Sequence, residues 1–191
     1  MTEAPWNTLE IAKLAVGVLT PVSVAILAWF LNRRMKRLDL IQWSNQKLIE
    51  KRIAVYDLVA PQLNLLLCFF MWVGYWKEIS PQNAIQAKRD LDKAFNIYRH
   101  LFEADVYEAY QSYIHLLFET FIGPGHDARL RTKVKGVDGD RQSDGCYEWR
   151  TEWNDQFSTL DMIPSKNEIQ RAYGALMSSL TRALGIQSNG A

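Results

Sequence analysis

The sequence predicts an all-α protein, with one N-terminal transmembrane helix followed by a cytoplasmic helical bundle of about five helices. Three observations carry this expectation. Leu14 to Leu31 is a run of 18 residues without a charge, which is the length of a membrane span. Downstream, apolar and aromatic residues recur at spacings of three and four rather than in alternation. Helix start signals stand at Ser80-Pro81 and at Ser165-Lys166-Asn167-Glu168. The expected segments are a short external N-terminus at 1–13, the transmembrane helix at 14–31, a basic membrane-exit helix at 32–60, and the cytoplasmic bundle at 61–191 with a polar loop at 126–145.

Extending the apolar run back to Leu9 past Lys13 yields about 23 residues, or roughly 34 Å of helix at 1.5 Å per residue. Inside hydrocarbon every unpaired backbone amide is costly, so the segment is expected to be helical despite Pro21, with the Thr20 hydroxyl or a kink accommodating the freed carbonyl. Trp6 and Trp29 flank it as interfacial anchors. A cleaved signal peptide is not expected. The start is acidic (Glu3, Glu10), and the core runs into Asn32-Arg33-Arg34-Met35-Lys36-Arg37 rather than a small-residue cleavage site.

Residues 1–13 hold one Lys and no Arg, whereas 32–52 hold seven cations, Arg33, Arg34, Lys36 and Arg37 first among them. The excess of positive charge on the inner side places the N-terminus outside and the remainder in the cytoplasm. These four also sit where they can meet anionic lipid. Gly17, Pro21, Ala25 and Ala28 fall along one helical stripe whose small side chains would admit a second helix, an expectation of self-association set against the general abundance of Gly and Ala in membrane helices.

Leu58 to Trp76 is also uncharged for 19 residues. Pro61, Gln62, Asn64 and Gly74 interrupt it, and its dense part, Leu63 to Trp76, is only 14 residues long. Basic residues lie on both sides. A buried helix is therefore expected rather than a second crossing. The preceding exit helix carries Leu38, Ile41, Leu48, Val55 and Val59 at helical spacings. Asn45 and Arg52 interrupt that seam, so it is expected to pack on the chain's own domain rather than in a coiled coil.

Ser80-Pro81 opens a helix with Leu91, Phe95, Tyr98 and Phe102 on one face. After a break near Glu103-Ala104-Asp105, Val106, Tyr110, Tyr113, Ile114, Leu117 and Phe121 mark the next helix, ended by Gly123-Pro124-Gly125. Residues 126–145 exceed an ordinary connection and are the chief place for a hidden site. Trp149, Trp153 and Phe157 suggest a short helix, and the Ser165/Glu168 capping box opens the last one, with Ile169, Tyr173, Leu176, Leu180 and Leu184.

The chemistry-bearing residues are sparse. With 22 Lys+Arg against 21 Asp+Glu, the net charge is +1, so no nucleic-acid partner is expected. His100, His115 and His126 are far apart in sequence, and there is no HExxH, paired CxxC or Gly-Lys-Ser/Thr phosphate loop. Cys68 and Cys146 form no disulfide framework and suit a reducing compartment. Asp138, Asp140 and Asp144 resemble part of a calcium loop, but counting from Asp138 puts Ser143 sixth and Trp149 twelfth, where Gly and Glu are needed; from Asp140 the twelfth is Thr151. No catalytic residue, metal or cofactor is expected. The one ligand-binding candidate is the 126–133 stretch, where His126, Asp127, Arg129 and Arg131 can engage a phosphate-bearing ligand or an anionic partner. The alternative there is an ordinary loop, with an arginine paired to a bundle carboxylate.

At Glu50-Lys51-Arg52-Ile53-Ala54-Val55-Tyr56-Asp57, Ala60-Pro61-Gln62-Leu63-Asn64 and Gly74-Tyr75-Trp76-Lys77, the chain resembles a family of small bacterial single-pass membrane proteins with a helical cytoplasmic domain. The resemblance runs from the anchor through Asp127-Ala128-Arg129-Leu130-Arg131-Thr132. It implies location in the bacterial inner membrane and supplies no activity or catalytic residues. The plan is also similar to that of membrane-anchored effectors of bacterial anti-phage systems, a likeness of architecture. The expected function is therefore a non-catalytic module, held to the lipid bilayer, that binds a protein partner or associates with itself. Its rivals are a membrane-damaging effector of an anti-phage or toxin system, and an enzyme or nucleotide receptor using the 126–133 loop.

Overall fold

The computed structural model describes residues 8–120, 128–158 and 163–186. Its fold is mostly helical. Two compact units are present, Met1–Lys47 and Leu48–Ala191.

In the first unit every described residue belongs to helix α1 (Thr8–Met71). Ala12–Lys36 is long and apolar enough to cross a membrane, and none of its apolar window is buried. At 25 residues it covers about 37 Å, against a hydrocarbon core of about 30 Å. The hydroxyls inside it are satisfied locally. Thr20 Oγ1 donates to the Val16 carbonyl at 2.6 Å, and Ser23 Oγ donates to the carbonyls of Leu19 (2.8 Å) and Thr20 (2.9 Å). Thr20 thus returns to Val16, not to the Gly17 carbonyl that Pro21 leaves without an amide partner.

The second unit is built on the C-terminal part of α1. No helix boundary occurs near residue 60. α1 passes through Pro61, which is exposed, and ends only at Met71. An exposed proline leaves the freed i−4 carbonyl on the outer face, where losing its partner costs least. Gln42–Met71 also has the length and apolarity of a membrane span, but 39% of its apolar window is buried inside the protein. Val55, Val59, Leu63, Leu66, Phe69 and Phe70 form its inward face, at steps of three or four.

Helix α2 (Pro81–Tyr98) starts as expected. The Ser80 side chain accepts from the Asn83 amide at 3.2 Å while Asn83 Oδ1 accepts from the Ser80 amide at 3.1 Å. Its buried face includes Ile85, Leu91 and Phe95. Helix α3 (Ala104–Leu117) buries Val106, Tyr110, Tyr113, Ile114 and Leu117. It stops four residues earlier than its periodicity predicts, because Phe118 is extended (φ −125°, ψ 142°). Strand β1 (Phe118–Glu119) pairs antiparallel with β2 (Arg129–Leu130). Phe121 and Gly123-Pro124-Gly125 lie outside the described residues.

The expected polar loop at 126–145 is not unstructured where it is described. After β2, strands β3 (Lys135–Gly136) and β4 (Gly139–Asp140) form a small hairpin, followed by the single-turn helix α4 (Arg141–Asp144). The expected short helix near Trp153 is a 3-10 turn, Thr151–Gln156, with Trp149 and Phe157 outside it. Helix α5 (Lys166–Ala183) opens on the Ser165/Glu168 capping box and buries Ile169, Leu176 and Leu180. Leu130, paired to Phe157 in an isolated bridge, brings the 128–158 region into the same core.

Candidate functional site

Arg141, the first residue of α4, has none of its surface exposed. Its guanidinium carbon stands 3.8 Å from the Phe69 ring centroid, 3.7 Å from that of Trp72 and 5.8 Å from that of Trp76. Nη2 donates to the Phe69 carbonyl at 2.7 Å and Nε to the Lys133 carbonyl at 3.2 Å, while Nη1 is buried without a partner. Its own amide donates to the Val134 carbonyl at 2.9 Å. Burial holds its pKa down to about 9, a fall that the nearby Tyr147 opposes. At neutral pH the group is still charged, so a cation sits among aromatic faces and carbonyls with no carboxylate in ion-pair reach among the described residues.

The cause lies in how α1 ends. Trp72 takes a left-handed conformation (φ 60°), and the Val73 amide reaches back to the Cys68 carbonyl at 3.2 Å, the six-to-one bond of a Schellman cap. A helix C-terminus carries unpaired carbonyls and partial negative charge, and Arg141 supplies a cationic donor to one of them. Gly139 allows this approach. It has φ 151°, and a Cβ there would stand 2.9 Å from the Trp76 ring. These contacts lock the 133–141 segment to the end of α1.

A cavity of about 220 Å³ shares Trp72 and Lys133 with this region. Phe70, Trp72, Ile163, Pro164 and Ile169 supply apolar wall. Arg131, Thr132, Lys133, Asp138 and Lys166 supply polar wall. Thr132 is 6% exposed, and its hydroxyl makes no hydrogen bond among the described residues. Arg131 Nε is buried without a partner. Lys166 pairs with Asp138 at 2.6 Å. A larger depression of about 300 Å³, including Leu58, Leu91, Ala94 and Ile97, is mainly apolar and holds no buried unpartnered polar atom.

Of the ligand-binding candidates, Arg131 enters the smaller cavity, and Arg129 is half-buried on β2, opposite Glu119. His126 and Asp127 lie outside the described residues. Sequence reasoning passed over Thr132, Lys166 and Arg141. Only the Phe69, Trp72, Trp76 spacing of three and four hinted at an aromatic cluster. The aspartates resembling a calcium loop have other partners. Asp138 binds Lys166, Asp140 pairs with Lys135 at 3.2 Å and caps α4, and Asp144 accepts from the Asp140 amide at 2.9 Å. In the first unit, Arg33 and Arg34 are exposed and lie over the Trp29 and Phe30 rings at 5.5 and 5.1 Å. Lys36 is also exposed, Arg37 belongs to α1, and Gly17, Pro21, Ala25 and Ala28 are exposed on that helix.

No protein-family model matches the chain, and no curated protein and no solved structure matches it.

Proposed function

We propose that this chain is a bacterial inner-membrane protein, anchored once by Ala12–Lys36 with its N-terminus outside, whose cytoplasmic helical unit binds a protein partner or a second copy without catalysis. The observation that carries the reading is the wholly exposed apolar surface of Ala12–Lys36, which water disfavours and lipid accepts. The Arg33–Trp29 and Arg34–Phe30 pairs add amphipathic chemistry suited to the headgroup boundary. Burial of Val55, Val59, Leu63, Leu66, Phe69 and Phe70 within the second unit favours one crossing over two. The depression flanked by exposed Leu58 and Ile97 is the kind of apolar surface that partners cover. Gly17 has nothing within 4 Å of an added Cβ, so a larger residue there tests association without disturbing the monomer.

The test is a reporter series at Lys36, Lys77 and Ala191 combined with fractionation. A reporter active only in the cytoplasm works at all three positions, and the chain leaves the membrane with detergent but not with high salt or carbonate. Activity of an exterior-only reporter at Lys77 or Ala191 refutes the single crossing, and intact chain in the detergent-free supernatant refutes the anchor. Gly17→Leu lowers cross-linking between copies in the membrane if the small-residue stripe is the contact.

A further inference from the structure

We propose that the cavity between the 131–138 segment and the start of α5 binds a phosphate monoester bearing a compact apolar or aromatic group. Three cations, Arg131, Lys133 and Lys166, meet one carboxylate, Asp138, at its wall. That carboxylate is already engaged by Lys166, which leaves an excess of positive charge for a dianion. One buried polar atom there lacks a partner, Arg131 Nε, and Thr132, only 6% exposed, adds a hydroxyl to the same wall. Buried polar groups in folded proteins are paired almost without exception, so the unpartnered guanidinium nitrogen of Arg131 marks a donor awaiting an acceptor. Phosphate oxygens suit Arg131 and Thr132 alike, since an arginine fork matches their geometry and a hydroxyl adds a shorter bond.

The 18-residue helix α5 begins at the same wall, its positive end already met by the Glu168 carboxylate of the capping box, so the attraction for an anion rests on the cations. Phe70, Trp72 and Ile169 give the cavity apolar lining as well, which rewards a ligand that is not phosphate alone. At about 220 Å³ the space lies below that of ordinary drug-sized pockets, which excludes a dinucleotide. Two sources carry this group, an ester free in solution and the headgroup of a phosphatidic-acid-like lipid, and both present the same terminal phosphate.

The probe is phenyl phosphate, titrated calorimetrically into the full-length chain in zwitterionic phosphatidylcholine nanodiscs. Binding is expected at sub-millimolar Kd, about tenfold tighter than inorganic phosphate. Arg131→Gln weakens it by about tenfold and Thr132→Val by about fivefold, with melting temperature unchanged. Should Arg131→Gln fold poorly, Lys133→Gln, at an exposed side chain, replaces it with a loss of about fivefold. Nanodiscs containing phosphatidic acid separate the sources. Lowered phenyl phosphate affinity there marks the lipid headgroup as a ligand of this cavity, and unchanged affinity marks the free ester. Absence of phenyl phosphate binding, or binding indifferent to Arg131, Thr132 and Lys133, overturns the proposal. Neither result bears on the anchor, which the reporter series tests separately.

Discussion

Replacing Arg141 by Lys is expected to destabilise the helical unit more than replacing it by Met, although Lys keeps the charge. Lysine cannot donate simultaneously along the directions that reach the Phe69 and Lys133 carbonyls, so at least one charge-assisted bond is lost, worth about 1.5–3 kcal/mol. It also forfeits planar stacking on Phe69 and Trp72, at 3.8 and 3.7 Å, worth about 0.5–2 kcal/mol. The burial cost of a cation remains, so the loss totals about 3 kcal/mol. Methionine leaves both carbonyls unpaired, at about 1–3 kcal/mol each. It relieves the burial that lowers the Arg141 pKa from its ordinary value to about 9, a relief of up to about 5 kcal/mol. These terms nearly cancel, as they do when other buried ions are exchanged for apolar residues. Thermal unfolding of the full chain in detergent micelles, followed by tryptophan fluorescence, should show Arg141→Lys melting about 6–12 °C below the parent and Arg141→Met between the two. Arg141→Lys should also gain stability with rising pH, because a base whose folded pKa is depressed binds fewer protons when folded than when unfolded. A lysine variant as stable as the parent, or less damaged than the methionine variant, refutes the claim that the planar fork and the aromatic faces hold this segment.

Arg52 donates Nε to the Leu101 carbonyl and Nη1 to the Ala183 carbonyl, both at 2.6 Å. Arg52→Met should cost about 2–3 kcal/mol and, by hydrogen exchange, lower amide protection in the last turn of α5 before the rest of that helix. The Tyr110 hydroxyl donates to Asp92, whose other oxygen binds Lys88 at 2.6 Å. Tyr110→Phe should therefore cost about 1 kcal/mol at neutral pH. Burial raises the pKa of both Tyr110 and Tyr113 above the ordinary 10.0, with Asp92 adding to the rise at Tyr110. The folded state then keeps protons that the unfolded state releases above about pH 10, and stability should fall with pH there by up to about 1.4 kcal/mol per pH unit for each tyrosine. Denaturant titrations at pH 8 and pH 11 check the slope, which Tyr110→Phe should reduce. On the acid side, Glu168 accepts from the Ser165 hydroxyl and amide at 2.7 and 2.8 Å, which holds its pKa below the ordinary 4.5. The capping box contributes fully above about pH 4.5 and is lost as pH falls through the lowered value, a loss that Glu168→Gln should remove from the titration.

What sequence reading recovers here is what depends on neighbours along the chain. Ser80 with Asn83, and Ser165 with Glu168, act within one turn, so both helix starts are visible as four-residue signals. The inward faces of α3 and α5 emerge from spacing alone because each helix buries one stripe. The end of α3 does not, since Phe118 leaves the helix to pair with Leu130, a contact across a dozen residues that no local pattern encodes. Pro61 misleads for the opposite reason. Its local preference is to end a helix, but the burial of Leu63, Leu66 and Phe69 beyond it outweighs one missing backbone bond.

The candidate site divides in the same way. Arg131 stands out in a cluster of cations, whereas Lys166 joins it only because α5 begins at the same cavity, and Thr132 matters only because folding buries it at that cavity's wall. Arg141 is the sharpest case. In a Gly-rich polar stretch an arginine reads as solvated, and nothing near it in sequence signals burial. Its environment comes from the end of α1, where Phe69, Trp72 and Trp76 surround a carbonyl the helix cannot satisfy itself. The need for a donor is written at residues 69–76 and the donor is supplied at 141, so only a folded arrangement shows that the two belong together.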